Sequence, residues 1–402
     1  MKFNKRIFSL VLATFILLSV FTGCDTSDTE KPTDKCETHT DSDDNGYCDL
    51  CQVYLIVSID FYAINDLHGK FKDTSSNSGV DELTTYLKNT AFTDDHTVFL
   101  SSGDMWQGSS ESNLTNGLII TEWMNELDFV SMTLGNHEYD WGEQMIEEND
   151  ALAEFPFLAI NIFDRNTNQR VDYCEPSVII ERDGIQIGII GAIGDCYSSI
   201  SGDKSGDIYF KVGNDLTALV KAESQRLRSL GADYIVYSIH DGYGQNEYGE
   251  AKVSSTQIAS YYDTELSDGY VDLVFEGHTH QRYVLVDEFG VYHLQNGGEN
   301  KGISHVEIAI NPVTYSSDVS LAEFVEYSSY SYLNGDPLRD QLVDKYKDVI
   351  AKGDEILGNV SYYKDSSVIK KKVADWQPFL LGINSNHCSS ARRQSEARDH
   401  GS

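Results

Sequence analysis

Five short hydrophobic runs of this chain each end in residues that commonly bind metal ions. They are the apolar parts of the segments YAINDLH, FLSSGD, MTLGNHEYD, VYSIHDG and VFEGHTH. Each run is predicted to be a buried strand, and helical patterns alternate with these strands, which favours an α/β fold. Open α/β sheets bind ligands at the carboxyl ends of their strands. The five run ends are therefore expected to meet at one crevice.

The run ends supply seven candidate metal ligands. A single aspartate after a strand is usually a helix cap, and a single histidine is usually structural. Here several such residues follow strands whose ends are expected to meet, which indicates a metal centre. Two pairs are spaced i, i+2, which in extended backbone puts both side chains on one face. Carboxylate, amide and imidazole groups without thiolate suit Mn, Zn, Fe or Co. The seven candidates are Asp66, His68, Asp104, Asn136, His240, His278 and His280.

These ligands are too many for one metal ion, so the sequence predicts two divalent cations. A pair of cations needs a bridging ligand, and a carboxylate suits this role because it has two oxygen atoms. Asp104 is the natural bridge. Paired cations activate water at neutral pH and stabilise in-line displacement at phosphorus. The expected chemistry is therefore hydrolysis of phosphoesters.

The ordered motifs DLH, GD, GNHE, a lone histidine and GHTH resemble those of the calcineurin-like metallophosphoesterases. Tyr139 and Asp140, which follow GNHE, make the segment similar to the secreted 5′-nucleotidase branch. The resemblance covers about Val53 to Ile310. It implies a four-layer αββα sandwich, with two mixed β-sheets flanked by helices. It also implies hydrolysis of nucleoside 5′-monophosphates or related nucleotides outside the cell, and the same site would suit a 2′,3′-cyclic-nucleotide phosphodiesterase.

The resemblance also implies a role for each residue of the site. His137 would contact the transferring phosphoryl group, and Asp140 would orient His137, although Asp140 could instead cap the helix that follows. Asp104 would be shared between the two cations. One cation would be held by Asp66, His68, Asp104 and His280, and the other by Asp104, Asn136, His240 and His278.

The charge balance of the chain limits its partners. The formal net charge is −34 and the pI is about 4.5. Nucleic-acid polymers are bound through clustered Lys and Arg side chains, so such a polymer is not expected as a partner. A small phosphoester or nucleotide is the expected substrate.

Residues 1–23 are predicted to be a lipoprotein signal peptide. A basic start precedes an apolar stretch from Ile7 to Phe21, and Thr22-Gly23-Cys24 resembles a lipobox. Lipid on Cys24 would anchor an exported bacterial protein at the extracytoplasmic face of the membrane or cell surface. A simple cleaved signal and an uncleaved anchor are the alternatives. No later segment is long and apolar enough to cross a bilayer.

Residues 24–52 are expected to form a tether that carries a Cys/His/Asp motif. Cys36-x-x-His39 followed by Cys48-x-x-Cys51 offers four ligands suited to zinc. Alternatively, Asp41-x-Asp43-x-Asn45-Gly46 resembles the first half of a calcium loop, although Gln52 stands where such a loop has Glu. The third alternative is that the segment is a spacer, either closed by a disulfide bond or loosely structured. In every case the motif is expected to be separate from catalysis.

The catalytic domain is expected to span residues 53–330. Residues 331–402 would hold a linker helix, from Asp336 to about Lys352, and a remnant of the second domain that the resembled branch carries. That domain supplies aromatic side chains that clamp the base and arginines that bind phosphate. The segment DSSVIKKKVADW resembles its opening. The chain is thus expected to contain the domain that hydrolyses phosphoesters and to lack most of the domain that selects the nucleotide. The non-enzymatic alternative is a truncated, inactive surface protein.

Overall fold

A computed structural model of the chain describes residues 38–71, 79–91, 96–242 and 262–354. The expected signal peptide, Cys24, Cys36 and the expected C-terminal remnant beyond residue 354 lie outside these ranges. Among the described residues, no helix has both the length and the apolar character that a bilayer span requires.

Two mixed six-stranded sheets form the centre of the molecule. The first sheet has the order β14-β13-β1-β2-β3-β4, and the second has the order β11-β12-β10-β9-β7-β6. A short pair, β5 and β8, stands apart. The strands are β1 Val57–Ile64, β2 Thr97–Ser101, β3 Ser131–Thr133, β4 Phe157–Leu158, β5 Ile162–Asp164, β6 Ser177–Arg182, β7 Ile185–Ile193, β8 Ile208–Phe210, β9 Tyr234–His240, β10 Leu273–Glu276, β11 Arg282–Val286, β12 Tyr292–Asn296, β13 Gly302–Ile310 and β14 Ser317–Glu326.

The two sheets pack face to face through a continuous apolar layer. Phe61 and Leu100 from the first sheet are buried in one cluster with Ile189, Val236 and Phe275 from the second. The central strands β1, β2 and β3 are parallel, as are β7, β9 and β10. Strands buried on both faces read as unbroken apolar runs, which explains the runs seen in the sequence.

Helices cover the outer face of each sheet. In α5, Leu216, Val220 and Leu227 lie on one buried stripe against the second sheet. On the first sheet, α3 buries Ile119 and Trp123. The four-layer sandwich that the resemblance implies is therefore confirmed. The helices are α1 Asp81–Tyr86, α2 Ser110–Leu114, α3 Leu118–Asn125, α4 Glu143–Asp150, α5 Asn214–Ser229, α6 Leu338–Lys345 and α7 Lys347–Ile350.

The expected linker helix is two short helices, α6 and α7, separated at Tyr346. They pack on the domain. Leu338 and Leu342 are buried in the outer core of the first sheet. Lys345 Nζ lies 2.6 Å from a carboxylate oxygen of Glu122 on α3, and the Tyr346 hydroxyl donates to the same side chain at 2.8 Å.

Two other elements differ from the sequence prediction. The first strand begins at Val57, four residues after the start of the expected catalytic domain, because Tyr54 pairs with Tyr47 in an isolated antiparallel bridge. The strand β14 was not anticipated, since most of its side chains are partly or fully exposed and its sequence lacks a regular apolar alternation. It pairs along the whole of β13 at the edge of the first sheet.

Candidate metal centre

The carboxyl ends of five strands from both sheets meet at one buried point. His240 Nε2 of the second sheet lies 3.1 Å from Asp104 Oδ2 of the first. His280 Nε2 similarly lies 3.3 Å from Asp66 Oδ1. The first sheet contributes the residues after β1, β2 and β3, which are Asp66, His68, Asp104 and Asn136. The second sheet contributes the last residue of β9 and two residues after β10, which are His240, His278 and His280.

Asp66 and Asp104 lie at the middle of this arrangement. His68 Nε2 lies 3.9 Å from Asp66 Oδ1, 4.0 Å from Asp104 Oδ2 and 2.9 Å from His280 Nε2. The backbone N–H of His278 donates to Asp66 Oδ2 at 2.9 Å, and the ring of His278 stands edge-on to His240. Several three-residue subsets of these side chains have ligand atoms within 4.8 Å of one another, as metal binding requires.

The backbone at five of the seven candidate ligands is left-handed, which corrects the expectation that the paired ligands lie on extended backbone. φ is +51° at Asp66 and +50° at His68, and it is +68° at His278 and +53° at His280. Asp104 has a φ of +54°. Side chains two residues apart therefore converge through tight turns rather than through the strand repeat. Non-glycine residues with positive φ are uncommon, and their clustering here is typical of a functional site.

The two central carboxylates are buried and ionised. Asp66 is 0% exposed and Asp104 is 1% exposed, and among the described residues their ion-pair partners are histidines only. Burial opposes ionisation, but the hydrogen bond from His280 and the charge of His240 lower the pKa of Asp66. Burial likewise opposes ionisation of Asp104, but the charge and hydrogen bond of His240 hold its pKa well below the usual range. Burial opposes protonation of His240, but the charge of Asp104 outweighs it and raises the pKa of His240 to about 10, so this ring carries positive charge that a bound cation would replace.

The histidine rings are oriented as metal ligands usually are. His240 Nδ1 lies 2.6 Å from the carbonyl oxygen of Ser102, and His68 Nδ1 lies 3.0 Å from that of Gln107. A carbonyl only accepts, so each Nδ1 carries the proton, and in the neutral ring Nε2 presents its lone pair to the centre. Metal-bound histidines are commonly fixed in this way by a carbonyl. Burial lowers the pKa of His68, which favours the neutral form that binds metals.

Two further atoms indicate that the site fits a cation. A cation bound between His240 Nε2 and Asp104 Oδ2, which lie 3.1 Å apart, would take the place of the proton that the carboxylate charge holds on His240. Asn136 Oδ1 is buried and has no hydrogen-bond partner among the described residues. Buried acceptors are normally satisfied, so an unsatisfied one beside carboxylates and imidazoles suits metal coordination. The donor set of oxygen and ring nitrogen fits hard or borderline divalent cations.

His137 and Asp140 form a pair at the edge of this centre. His137 Nδ1 lies 3.0 Å from Asp140 Oδ2, and the backbone N–H of His137 donates to Asp104 Oδ1 at 2.8 Å. Burial lowers the pKa of His137, but the hydrogen bond to Asp140 and the charge of Asp104 outweigh it and raise the pKa to about 9. The alternative role of Asp140 as a helix cap is wrong, because α4 begins at Glu143 after Gly142.

Glu138 is a positioning residue that the sequence interpretation missed. It is 0% exposed, and its carboxylate accepts from the backbone N–H groups of Asp104 at 2.9 Å, Met105 at 2.9 Å and Gly135 at 2.7 Å. These bonds tie the turn after β2 to the turn after β3. The glutamate of the GNHE motif was visible in the sequence, but nothing in a linear pattern shows that it faces inward to hold two loops.

Replacing Glu138 by glutamine is expected to weaken cation binding about 10- to 100-fold, the usual effect of losing a group that orients metal ligands. Glutamine keeps the size but offers one acceptor oxygen for several N–H donors, so the Asp104 turn loosens. Isothermal titration with Mn²⁺ measures the affinity, and Glu147→Gln, an exposed change on α4, is the matched control. Equal affinities in both variants would contradict this role for Glu138.

Comparison with known proteins places the chain in a family. Residues 59–282, more than half of the 402-residue chain, match the family described as calcineurin-like phosphoesterase. The chain belongs to the calcineurin-like phosphoesterase family. The match includes every candidate ligand, so the family assignment and the geometry of the site concern the same part of the molecule.

Curated members of the calcineurin-like phosphoesterase family resemble this chain over part of their length. Protein UshA of Yersinia enterocolitica is 26% identical over 223 residues, which cover 55% of this chain and 38% of that protein. The 5′-nucleotidase of Vibrio cholerae is 30% identical over 186 residues, covering 46% of this chain and 32% of that protein. The chain thus spans less than half the length of these relatives.

A solved structure supports the fold independently. The NAD nucleotidase of Haemophilus influenzae superposes with a TM-score of 0.59 at 18% sequence identity, over 77% of this chain and 63% of that one. At this level of identity, the superposition bears on the fold alone. It agrees with the two-sheet sandwich described above, which positions the candidate metal centre between the carboxyl ends of both sheets.

Proposed function

We propose that this chain is a metal-dependent phosphoesterase with a dinuclear centre, acting on nucleoside 5′-monophosphates or related nucleotides outside the cell. Two divalent cations, when bound, would supply Lewis acidity and lower the pKa of a water molecule for attack on phosphorus. One cation would be held by Asp66, His68, Asp104 and His280, and the other by Asp104, Asn136, His240 and His278.

The observation that carries this proposal is the convergence of both sheets on Asp104. The buried Asp104 carboxylate lies 3.1 Å from His240 Nε2 and 4.0 Å from His68 Nε2, and it also accepts from the N–H of His137. A carboxylate that has imidazole nitrogens from both sheets around it and a second carboxylate beside it suits a bridging ligand. Such a bridge is what a pair of cations needs and a single cation does not.

His137 would bind the phosphoryl group that is transferred. Its ring is 27% exposed at the edge of the centre, so it is accessible to substrate while Asp140 holds it from behind. A cationic imidazole stabilises the negative charge that develops on phosphoryl oxygens, and fixed donors of this kind are effective in a buried site. Asp140 would act as a positioning residue that sets the tautomer of His137 and favours its protonated form.

The nucleotide substrate rests on similarity to a relative named 5′-nucleotidase. We place the catalytic unit at residues 53–330, with residues 331–402 as its linker helices and the start of a nucleotidase domain. The N-terminal sequence supports export with lipid on Cys24.

Labelling cells with radioactive palmitate tests lipidation at Cys24. The label should enter the wild-type chain and should not enter the Cys24→Ser variant. Equal labelling of both chains would contradict lipidation at Cys24.

The activity is tested with the purified chain loaded in turn with Mn²⁺, Zn²⁺ and Co²⁺. AMP, a 2′,3′-cyclic nucleotide and a nitrophenyl phosphodiester are assayed side by side, with and without a chelator. We expect metal-dependent release of phosphate from AMP. Preference for the cyclic nucleotide would instead assign a phosphodiesterase. Binding of metal without hydrolysis of any of the three would overturn the proposal and favour an inactive surface protein.

A further inference from the structure

A second group of metal-binding side chains lies in the segment that precedes the catalytic domain. We call residues 38–56 the cysteine loop. In it, ligand atoms of His39, Cys48 and Cys51 lie within 4.8 Å of one another. His39 Nδ1 is 3.6 Å from Cys51 Sγ, and no disulfide joins the two cysteines. One imidazole and two thiols therefore lie together, although His39 and Cys51 are twelve positions apart in the sequence.

The backbone of the cysteine loop is shaped around Cys48. This side chain is 0% exposed, and Gln52, with a φ of +58°, closes the turn by donating its N–H to the Cys48 carbonyl at 2.9 Å. Backbone N–H groups of Cys51 and Thr40 donate to the Cys48 side chain. Together with the Gln52 turn, these bonds hold the Cys48 sulfur beside His39 and Cys51.

The acidic residues of the cysteine loop serve another purpose. Asp41 accepts from the N–H groups of Asn45 at 3.0 Å and Gly46 at 2.8 Å, and from the side chain of Asn311 at 2.6 Å. Asp44 accepts from the hydroxyl of Thr314 at 2.6 Å. These carboxylates hold the loop to the turn between β13 and β14. Because their oxygens are engaged in this way, the calcium interpretation loses its main ligands.

We propose that His39, Cys48 and Cys51 bind a structural zinc ion that fastens the tether to the catalytic domain. Two thiolates and one imidazole in a tetrahedral set are typical of zinc, and the soft sulfur atoms disfavour calcium.

This site would be separate from the candidate metal centre. The cysteine loop packs at the amino end of β1, where Val57 pairs with Ile310, whereas Asp66 follows the carboxyl end of the same strand. An eight-residue strand is roughly 25 Å long, so the two sites lie at opposite ends of the first sheet. The zinc ion would hold the cysteine loop in its fold beside the amino end of β1.

Cobalt substitution tests the site with a signal that oxygen and nitrogen ligands do not produce. Thiolate ligation of Co²⁺ gives an intense sulfur-to-cobalt charge-transfer band in the near ultraviolet. We expect this band in the purified chain, saturating at about one cobalt per chain for this site, and its loss in Cys48→Ser/Cys51→Ser. Zinc content by mass spectrometry should fall by about one ion per chain in the same variant.

Two controls separate this site from the rest of the molecule. Cys174→Ser changes another buried cysteine and should keep the band, as should Asp104→Asn, which alters only the candidate metal centre. His39→Gln, which retains both cysteines, should shift and weaken the band even if the double variant fails to fold. An unchanged band in the double variant, no band in the wild type, or a Cys48–Cys51 disulfide found by intact mass would overturn the proposal.

Discussion

Replacing Asp104 by asparagine is expected to lower kcat by about 10³-fold or more, because a shared pair of cations contributes several kcal/mol to stabilising the transition state. The same change should reduce the metal bound at the candidate metal centre from about two ions per chain to at most about one, since Asp104 is the ligand that both proposed sets share. Elemental analysis of the loaded protein and assay of AMP hydrolysis measure both effects.

A matched control for this substitution is available. Asp128→Asn makes the same chemical change at an exposed aspartate with a φ of +51°, close to the +54° of Asp104. Asparagine tolerates left-handed backbone, so neither variant should unfold, and circular dichroism checks this. The Asp128 variant should keep full activity and metal content. If the Asp104 variant kept full activity and full metal content, Asp104 would not be a ligand of the metal centre.

Replacing His137 by alanine is expected to reduce kcat by about 10²–10³-fold, the usual loss when one donor to a developing anion is removed. The metal content should not change, because His137 is assigned to the phosphoryl group rather than to a cation. This combination of lost turnover and retained metal distinguishes His137 from the candidate ligands. Loss of metal together with activity would contradict the assignment.

Asp140→Asn should act through His137 and shift the pH profile. The hydrogen bond from His137 Nδ1 to Asp140 at 3.0 Å raises the pKa of His137, so removing the carboxylate lowers that pKa. The imidazolium then deprotonates at lower pH, and the alkaline limb of the kcat profile should move to lower pH. Asp183→Asn, which breaks a similar surface pair with His96, should leave the limb in place. A fall in kcat without any shift would contradict the role of Asp140.

The residues that meet at the candidate metal centre could be predicted from the sequence. Each one follows a hydrophobic run, and such a run can be recognised without knowledge of the fold. Apolar runs such as the one ending before Asp66 identified the central strands, and parallel strands direct their carboxyl ends to one edge. Six of the seven candidate ligands, all but Asn136, accordingly lie within contact distance of another candidate, and their binding of metal ions stays a prediction. The order of motifs also led to the calcineurin-like phosphoesterase family, which the comparisons confirm.

The sequence did not predict how those residues meet. The left-handed turns at Asp66, His68 and Asp104 depend on contacts made across the crevice, such as the N–H of His278 donating to Asp66. Similarly, the carbonyl of Ser102 that fixes the tautomer of His240 is backbone and has no sequence signature. Edge strand β14 was missed because its exposed side chains follow no simple alternation.

The most direct measurement is anomalous diffraction from crystals of the chain soaked in Mn²⁺, with data collected at the manganese absorption edge. We expect two peaks, one on each side of the Asp104 carboxylate and about 3.5–4 Å apart, with imidazole nitrogens from both sheets as ligands. A single peak that Asp104 does not contact, or no peak between the two sheets, would contradict a dinuclear centre built around Asp104.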